Sequence, residues 1–268
     1  MHEAAYAKIN LALHVRAREA DGYHRIETVF AFCEEGDLLS VAAGEGLGLA
    51  LIGPFAGALE TAPDNLVLRA TRALAERFGI AAGAALTLDK RLPVAAGLGG
   101  GSADAAAALR LLARWWGLEA GEGELLELAA GLGADVPACL LSRTVRGEGR
   151  GDEVRPLDGE GLAGTPVLLL NPLAPLSTAA VFSAWDGVDR GPLLHFGDGR
   201  NDLEPAAAAI VPEIAEMLAE LSGASLARMS GSGASCFGLY RSEAERDAAA
   251  RRIAVRHPGW WQLSTRLR

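Results

Sequence analysis

Pro93-Val94-Ala95-Ala96-Gly97-Leu98-Gly99-Gly100-Gly101-Ser102-Ala103-Asp104-Ala105-Ala106-Ala107-Ala108 is a glycine run that passes into an alanine-rich helical stretch. Gly97, Gly99, Gly100 and Gly101 lack a Cβ, so the backbone can turn through positive φ and aim several N–H groups at an oxyanion. Ser102 is a natural N-cap for the helix behind, whose positive dipole end would add to those N–H groups. A polyphosphate suits such a terminus best, and the reading is therefore a protein that handles a nucleotide. The two commonest phosphate motifs are excluded. No Lys followed by Ser or Thr comes after the second glycine, as a P-loop requires, and Ser102 stands where a dinucleotide fingerprint needs glycine. Glycine-rich turns also precede helices that bind nothing, so other residues must decide.

Upstream of the loop, residues 6–16 alternate, with Ala7, Ile9, Leu11, Leu13 and Val15 on one side and Tyr6, Lys8, Asn10, His14 and Arg16 on the other with Ala12. That is a half-buried strand with Lys8 and Asn10 as neighbours on its polar face. Asp21-Gly22-Tyr23-His24 makes a turn, and residues 26–33 and 38–42 read as two further strands. Asp64-Asn65 opens a helix that Gly79 closes, residues 85–89 form a strand leading to the loop, and Ser102 to Trp116 form the helix behind it, with Trp115 and Trp116 packing. A helix over 124–132 ends at Gly133 and leads into Ala134-Asp135-Val136-Pro137.

Residues 146–164 are rich in Gly, charge and turn formers and read as the lobe boundary. Beyond it come a strand over 167–170, one buried helical stripe through Ile210, Ile214, Met217, Leu218 and Leu221, and the small-residue loop Ser230-Gly231-Ser232-Gly233. A strand over 236–240, a helix boxed by Ser242 and Glu245, and a closing strand through Leu263, Thr265 and Leu267 follow. Strands and helices mix in both halves without regular βαβ alternation, which points to a two-lobed α+β protein with its site in the cleft between lobes.

The chain has 268 residues, half of them hydrophobic and 22% charged, enough for two lobes and ordinary for a globular protein. A net charge of −9 argues against nucleic acid or an anionic membrane as partner. Cys33, Cys139 and Cys236 lack metal-ligand spacing and read as reduced thiols in a cytoplasmic protein. No apolar run approaches ~18 residues, and no signal peptide is expected. Of 25 basic residues only Lys8 and Lys90 are lysines. A chain so rich in Arg keeps Lys where a compact ammonium does what a guanidinium fork cannot, which singles out Lys8, although a lysine can also survive on a solvated strand face.

Phosphoryl transfer needs a cradle for the donor, a cation at the migrating charge, and a carboxylate to take the acceptor's proton. Asp135 is the carboxylate candidate, and it reads equally as an N-cap ahead of Pro137. Ala7-Lys8-Ile9-Asn10-Leu11, the 93–103 loop, Gly133-Ala134-Asp135-Val136-Pro137 and Ser230-Gly231-Ser232-Gly233 occur in the order of the GHMP kinases, the galactokinase, homoserine, mevalonate and phosphomevalonate kinases, and the chain resembles them over nearly its whole length. Within that family Lys8-Ile9-Asn10, Asp21-Gly22-Tyr23-His24, the triple glycine and Asn201-Asp202-Leu203-Glu204 are similar to the members that phosphorylate 4-diphosphocytidyl-2-C-methyl-D-erythritol in the non-mevalonate isoprenoid route.

The resemblance implies a ribosomal-protein-S5-domain-2-like N-terminal lobe over 1–155 and a ferredoxin-like C-terminal lobe over 156–268, whose last strand can return to the first lobe. It implies ATP bound by Pro93, Val94, Ala95, Ala96, Gly97, Leu98, Gly99, Gly100, Gly101, Ser102 and Ala103. Asp135 would take the proton of the substrate's 2-hydroxyl, and Lys8 would stabilise the developing alkoxide and γ-phosphoryl charge. Asn10 would hydrogen-bond the substrate, Tyr23 and Phe182 would sandwich its cytosine, His24 would read the polar edge, and Thr178 would support that pocket. Apart from the resemblance Tyr23 and His24 are turn residues, Phe182 is a core residue, and Ser230, Gly231, Ser232 and Gly233 make a hairpin or cap loop. With it, that second loop closes over the phosphates. Mg2+ is expected as the charge-neutralising ion, with Ser102 as the hydroxyl near it and no acidic ligand named. The partner that the resemblance implies is a small cytidine diphosphate compound. Another small alcohol as acceptor, or a nucleotide-binding regulator without turnover, are the other readings, and the oligomeric state is open.

Overall fold

The computed structural model describes residues 1–59, 65–157 and 161–268, so Asp64, read above as part of a helix start, and part of the boundary stretch lie outside the described residues. In chain order the elements are β1 (His2–Arg18), β2 (His24–Ala42), β3 (Leu47–Ile52), α1 (Leu66–Phe78), β4 (Ala84–Asp89), α2 (Gly100–Trp115), α3 (Glu122–Leu132), α4 (Val136–Leu141), β5 (Val145–Glu148), β6 (Glu153–Pro156), β7 (Pro166–Asn171), α5 (Thr178–Ser183), α6 (Glu204–Ile210), α7 (Glu213–Glu220), β8 (Leu226–Met229), β9 (Cys236–Leu239), α8 (Glu243–Arg256) and β10 (Trp261–Arg266). The mixed α+β content expected from the pattern is present. The two strands expected over 26–42 are one continuous β2.

Two compact units emerge, and they interleave along the chain instead of dividing once near residue 155. One holds Met1–Ala7, Glu35–Val94 and Gly99–Ser142, the other Lys8–Glu34, Ala95–Leu98 and Arg143–Arg268. The reason is strand length: β1 and β2 run 17 and 19 residues, and each contributes to both units.

In the first unit, β3 and β4 are parallel neighbours joined by α1, the crossover that a parallel pair requires. β2 lies antiparallel to the other side of β4, from Leu38 opposite Asp89 to Ala42 opposite Ala85. Local chemistry sets the ends of α1. Asn65 accepts a bond from Val67 N–H at 2.9 Å, and Gly79 takes the left-handed conformation with φ 65°. Val67, Leu68, Ala70, Thr71, Leu74 and Ala75 face inward, and α1 packs on α2, whose alanines allow a close approach.

In the second unit, β5 pairs with β2, Thr28 opposite Gly147 and Phe30 opposite Val145, and with β6. A separate antiparallel sheet has the order β10-β7-β9-β8. Strand, helices, two strands, helix and strand in that order give the split βαβ arrangement of a ferredoxin-like half, and the closing strand β10 pairs with β7. Leu168, Leu170, Val181, Ile214, Met217, Leu221 and Ile253 build its core. The single stripe expected from Ile210 to Leu221 is two helices. Val211, ahead of Pro212, is extended at φ −125° and ψ 90°, α6 stops at Ile210, and Ile210 is 45% exposed. The Ser242 cap of α8 is present, but the Glu245 carboxylate accepts from Arg241 N–H, one residue earlier than the box expected.

Candidate active site

The glycine loop turns through positive φ at Ala95 (54°), Gly97 (75°) and Gly99 (66°). Gly97 admits no side chain. A Cβ there would lie 2.4 Å from Ser230 O and 2.7 Å from Gly233 O. Two expectations are corrected. Gly100 and Gly101 are the first residues of α2, not turn positions, and Ser102 sits inside its first turn instead of capping it. Gly99 takes the cap position itself, its left-handed backbone making the turn that a capping side chain would otherwise direct. Among the described residues no side chain caps α2 and no acidic residue stands in its first turn, an arrangement of leading N–H groups and dipole that suits an anion.

Lys8, on β1, is 3% exposed. Its Nζ donates to Asn10 Oδ1 at 2.9 Å and lies 5.2 Å from the centre of the Phe30 ring. Its backbone N–H donates to Leu98 O at 2.9 Å, which fixes the strand to the glycine loop. The half-buried strand expected here is buried on both faces from Ala7 to Val15, because each polar side chain finds a partner. Asn10 Nδ2 donates to Thr28 Oγ1 at 2.8 Å, and the Thr28 hydroxyl donates to Ala12 O at 2.6 Å. His14 meets Gly191 O through Nδ1 at 3.1 Å and Arg200 N–H through Nε2 at 3.3 Å. Burial, with Arg200 nearby, holds its pKa below the ordinary histidine value.

The second glycine loop lies directly on the first. Ser230 Oγ accepts from Asn10 N–H at 3.1 Å and donates to Gly97 O at 2.8 Å, while Ser235 N–H donates to Ala96 O at 3.1 Å. The Asn201-Asp202-Leu203-Glu204 segment buttresses it. Asn201 Nδ2 donates to Met229 O and Gly231 O, both at 2.8 Å, Glu204 accepts from Met229 N–H, and Asp202 accepts from Val15 N–H.

Asp135 stands half-buried at the N-cap of α4 with Pro137 just after it, yet its side chain makes no capping bond. The capping explanation thus accounts for its position and not for its carboxylate. In the same unit a buried ion cluster underlies the start of α2. Lys90 Nζ donates to Asp37 Oδ2 and to Asp104 Oδ2, the latter at 2.7 Å, and Asp37 Oδ1 accepts from the N–H groups of Arg91 and Leu92 at 2.6 and 2.8 Å. Asp104 Oδ1 is buried without a partner among the described residues. Burial pushes the Asp104 carboxyl up to about 7 against the pull of Lys90, with Asp37 adding to the rise. Burial alone would lower Lys90, but Asp104 and Asp37 outweigh it and hold its ammonium above the ordinary value.

Among the expected base-binding residues, His24 and Phe182 come together, ring centres 4.9 Å apart, with Trp185 edge-on to His24 at 5.7 Å. Burial, with Arg18 adding, lowers the His24 pKa. Tyr23 is 55% exposed, and the Arg150 guanidinium covers its ring at 5.0 Å. Thr178 begins α5 and shares a hydrogen bond with Ser232 at 2.9 Å. Sequence reasoning missed Thr28, Arg150, Trp185 and the Lys90 cluster. Lys90 was countable as one of two lysines; the others carry no local signal.

Among the described residues no helix is long and apolar enough to cross a membrane. The chain matches the GHMP kinase N-terminal domain over residues 65–143 and the GHMP kinase C-terminal domain over 189–257. It is 58% identical to the 4-diphosphocytidyl-2-C-methyl-D-erythritol kinase of Rhizorhabdus wittichii, over 99% of this chain and 94% of that one. To the protein of the same name from Sphingopyxis alaskensis it is 49% identical, over 100% and 99% of the two chains. Among solved structures, that of a 4-(cytidine 5'-diphospho)-2C-methyl-D-erythritol kinase superposes with a TM-score of 0.83 at 33% identity, covering 100% of this chain and 99% of the other. Methanococcus jannaschii mevalonate kinase shares the fold, with a TM-score of 0.74 at 11% identity over 100% and 98%.

Proposed function

The chain belongs to the GHMP kinase family, and on that premise we propose that it transfers the γ-phosphoryl group of ATP to the 2-hydroxyl of 4-diphosphocytidyl-2-C-methyl-D-erythritol. The products are the 2-phosphate and ADP, on the non-mevalonate route to isopentenyl diphosphate. The observation that carries this reading is the buried Lys8 ammonium, set beside two interlocked glycine loops, in a chain matched end to end by relatives of that one name.

The uncapped start of α2 and the turn from Ala95 to Gly99 receive the ATP phosphates, and the Ser230 to Gly233 loop adds backbone from the second glycine-rich turn. Asp135 takes the proton from the acceptor hydroxyl as its oxygen attacks the γ-phosphorus and the bond to the β,γ-bridging oxygen breaks. Lys8 meets the negative charge that gathers on the migrating group, and its low exposure makes that interaction stronger than it would be in water. Transfer is direct, with no phosphorylated protein intermediate. Among the described residues no three His, Cys, Asp or Glu side chains stand together to hold a metal. Were Mg2+ to enter with the nucleotide, the Ser102 hydroxyl would be the protein oxygen near it, and the ion would supply neutralisation of phosphate charge. Tyr23, His24, Phe182 and Thr178 select the cytidine end, and Trp185 and Arg150 join that group.

The test is a transfer assay with Mg·ATP, offering the cytidyl substrate beside homoserine, mevalonate and galactose. Turnover confined to the first is expected. Turnover on another acceptor overturns the base pocket, and ATP binding with silence on all four overturns the kinase reading in favour of a regulator.

A further inference from the structure

The Asn10 amide is one of the groups that direct the Lys8 ammonium. An ammonium donates and cannot accept, so the Asn10 atom at 2.9 Å from Nζ is the carbonyl oxygen Oδ1. The NH2 end must then face Thr28 Oγ1, at 2.8 Å. The one hydroxyl proton of Thr28 is committed to Ala12 O at 2.6 Å, which leaves the oxygen as an acceptor that only the NH2 end can satisfy. A flipped amide would set NH2 against the ammonium and an oxygen against a hydroxyl with no proton to give. Lys8, Asn10 and Thr28 are all buried, so water offers no substitute partners, and all three belong to one compact unit.

We propose that Thr28 is a positioning residue for the transfer: its hydroxyl, donating to Ala12 O and accepting from Asn10 Nδ2, fixes the orientation of the Asn10 amide and through it the direction of the Lys8 ammonium. The inference rests on the reading of Lys8 as the cation that meets the migrating phosphoryl group. Thr28 touches neither nucleotide nor acceptor in this scheme. With Oδ1 on Lys8 and Nδ2 on Thr28, the Asn10 amide acts in this scheme as a holder of Lys8 and not as the substrate contact that the resemblance implied, so the effect of Thr28 falls on the chemical step and not on either binding step.

Thr28→Val keeps the side-chain shape and deletes the hydroxyl. It is expected to lower kcat about tenfold to a hundredfold, as loss of a group that orients a catalytic side chain does, while KM for ATP and for the cytidyl substrate stay within about twofold. Thr28→Ser, which retains the hydroxyl, restores kcat. In the Asn10→Ala background Thr28→Val adds nothing further, because the amide it orients is gone. If Thr28→Val does not fold, Thr28→Cys replaces it and is expected to fall between Ser and Val, since a thiol is a weak donor and acceptor. Wild-type kcat in the variant lacking the hydroxyl, failure of Ser to restore it, or additive losses with Asn10→Ala overturn the inference. Lys8→Met is measured alongside. Full turnover in Lys8→Met sinks the reading of Lys8 itself, whereas an inactive Lys8→Met beside a fully active Thr28→Val sinks only the role of Thr28.

Discussion

Replacing Lys90 by Met removes one ammonium from two buried carboxylates at once. Lys90 is 1% exposed, and the Asp37 and Asp104 side chains that it bridges are as deeply enclosed. Breaking a buried pair by deleting one partner costs about 3–5 kcal/mol, because the charge left behind has lost both water and counter-charge. Here the remaining pair also repel, and Asp104, already at about 7 with the ammonium present, rises further without it. Asp37 keeps its two backbone donors from Arg91 and Leu92, so Asp104 carries the greater part of the cost. The sign with pH follows. A carboxyl whose folded pKa lies above its unfolded value adds stability below the unfolded pKa, and that stability is lost as pH rises through the folded one. The Lys90→Met variant is therefore expected to be about 3–5 kcal/mol less stable than wild type near pH 8 and to recover part of that toward pH 5. Lys90→Met with Asp104→Leu, which removes the stranded acid too, is expected to recover most of it at every pH. Urea unfolding followed by tryptophan fluorescence measures this, since Trp115 and Trp116 lie in the same unit. A single variant within about 1 kcal/mol of wild type at pH 8 would refute the reasoning, as would a double variant no more stable than the single.

Asp135→Asn, which keeps the side-chain shape and can cap a helix as Asp does, is expected to leave the urea midpoint close to that of wild type, while kcat falls about 10²- to 10⁴-fold for loss of a general base; retained activity removes Asp135 from the chemistry. Gly97→Ala forces a Cβ against two backbone oxygens at positive φ and is expected to cost about 2–4 kcal/mol in unfolding free energy, and an unaltered midpoint contradicts the close approach of the loops. His14 must stay neutral, because Arg200 N–H can only donate to its Nε2 and Gly191 O can only accept from its Nδ1. Its depressed pKa gives stability that is present above pH ~6.5 and lost as pH falls through the folded value. His14→Gln, whose amide can also donate and accept, is expected to flatten the acid side of the stability curve, and an identical acid slope argues against that role.

What the sequence makes legible is what neighbouring residues decide among themselves. Asn65 and Gly79 bound α1 through caps readable from the chain, and the glycine loop, Lys8 and Asn10 on one strand, and the ferredoxin-like order of the second half follow from spacing and resemblance. Errors arise where a stronger local effect competes. Gly99 supplies the cap assigned to Ser102, and Pro212 breaks a stripe that hydrophobicity alone runs straight through, a signal present in the sequence and underweighted there. The partnerships invisible from the chain are the long-range ones. Lys90 finds Asp37 across 53 positions, and Arg150 finds Tyr23, with no periodicity to announce either. Thr28 looks like any strand threonine until Asn10 and Ala12 stand on either side of it.

The burial of both lysines gives the protein an unusual chemical surface. Every other cationic side chain is an arginine, so an acylating reagent that ignores guanidinium finds no ε-amine on the folded molecule. Lys8 belongs to one compact unit and Lys90 to the other. A brief acylation pulse along a urea series, read by mass spectrometry of the two lysine peptides, would time the opening of each unit separately in one unlabelled, unmutated sample.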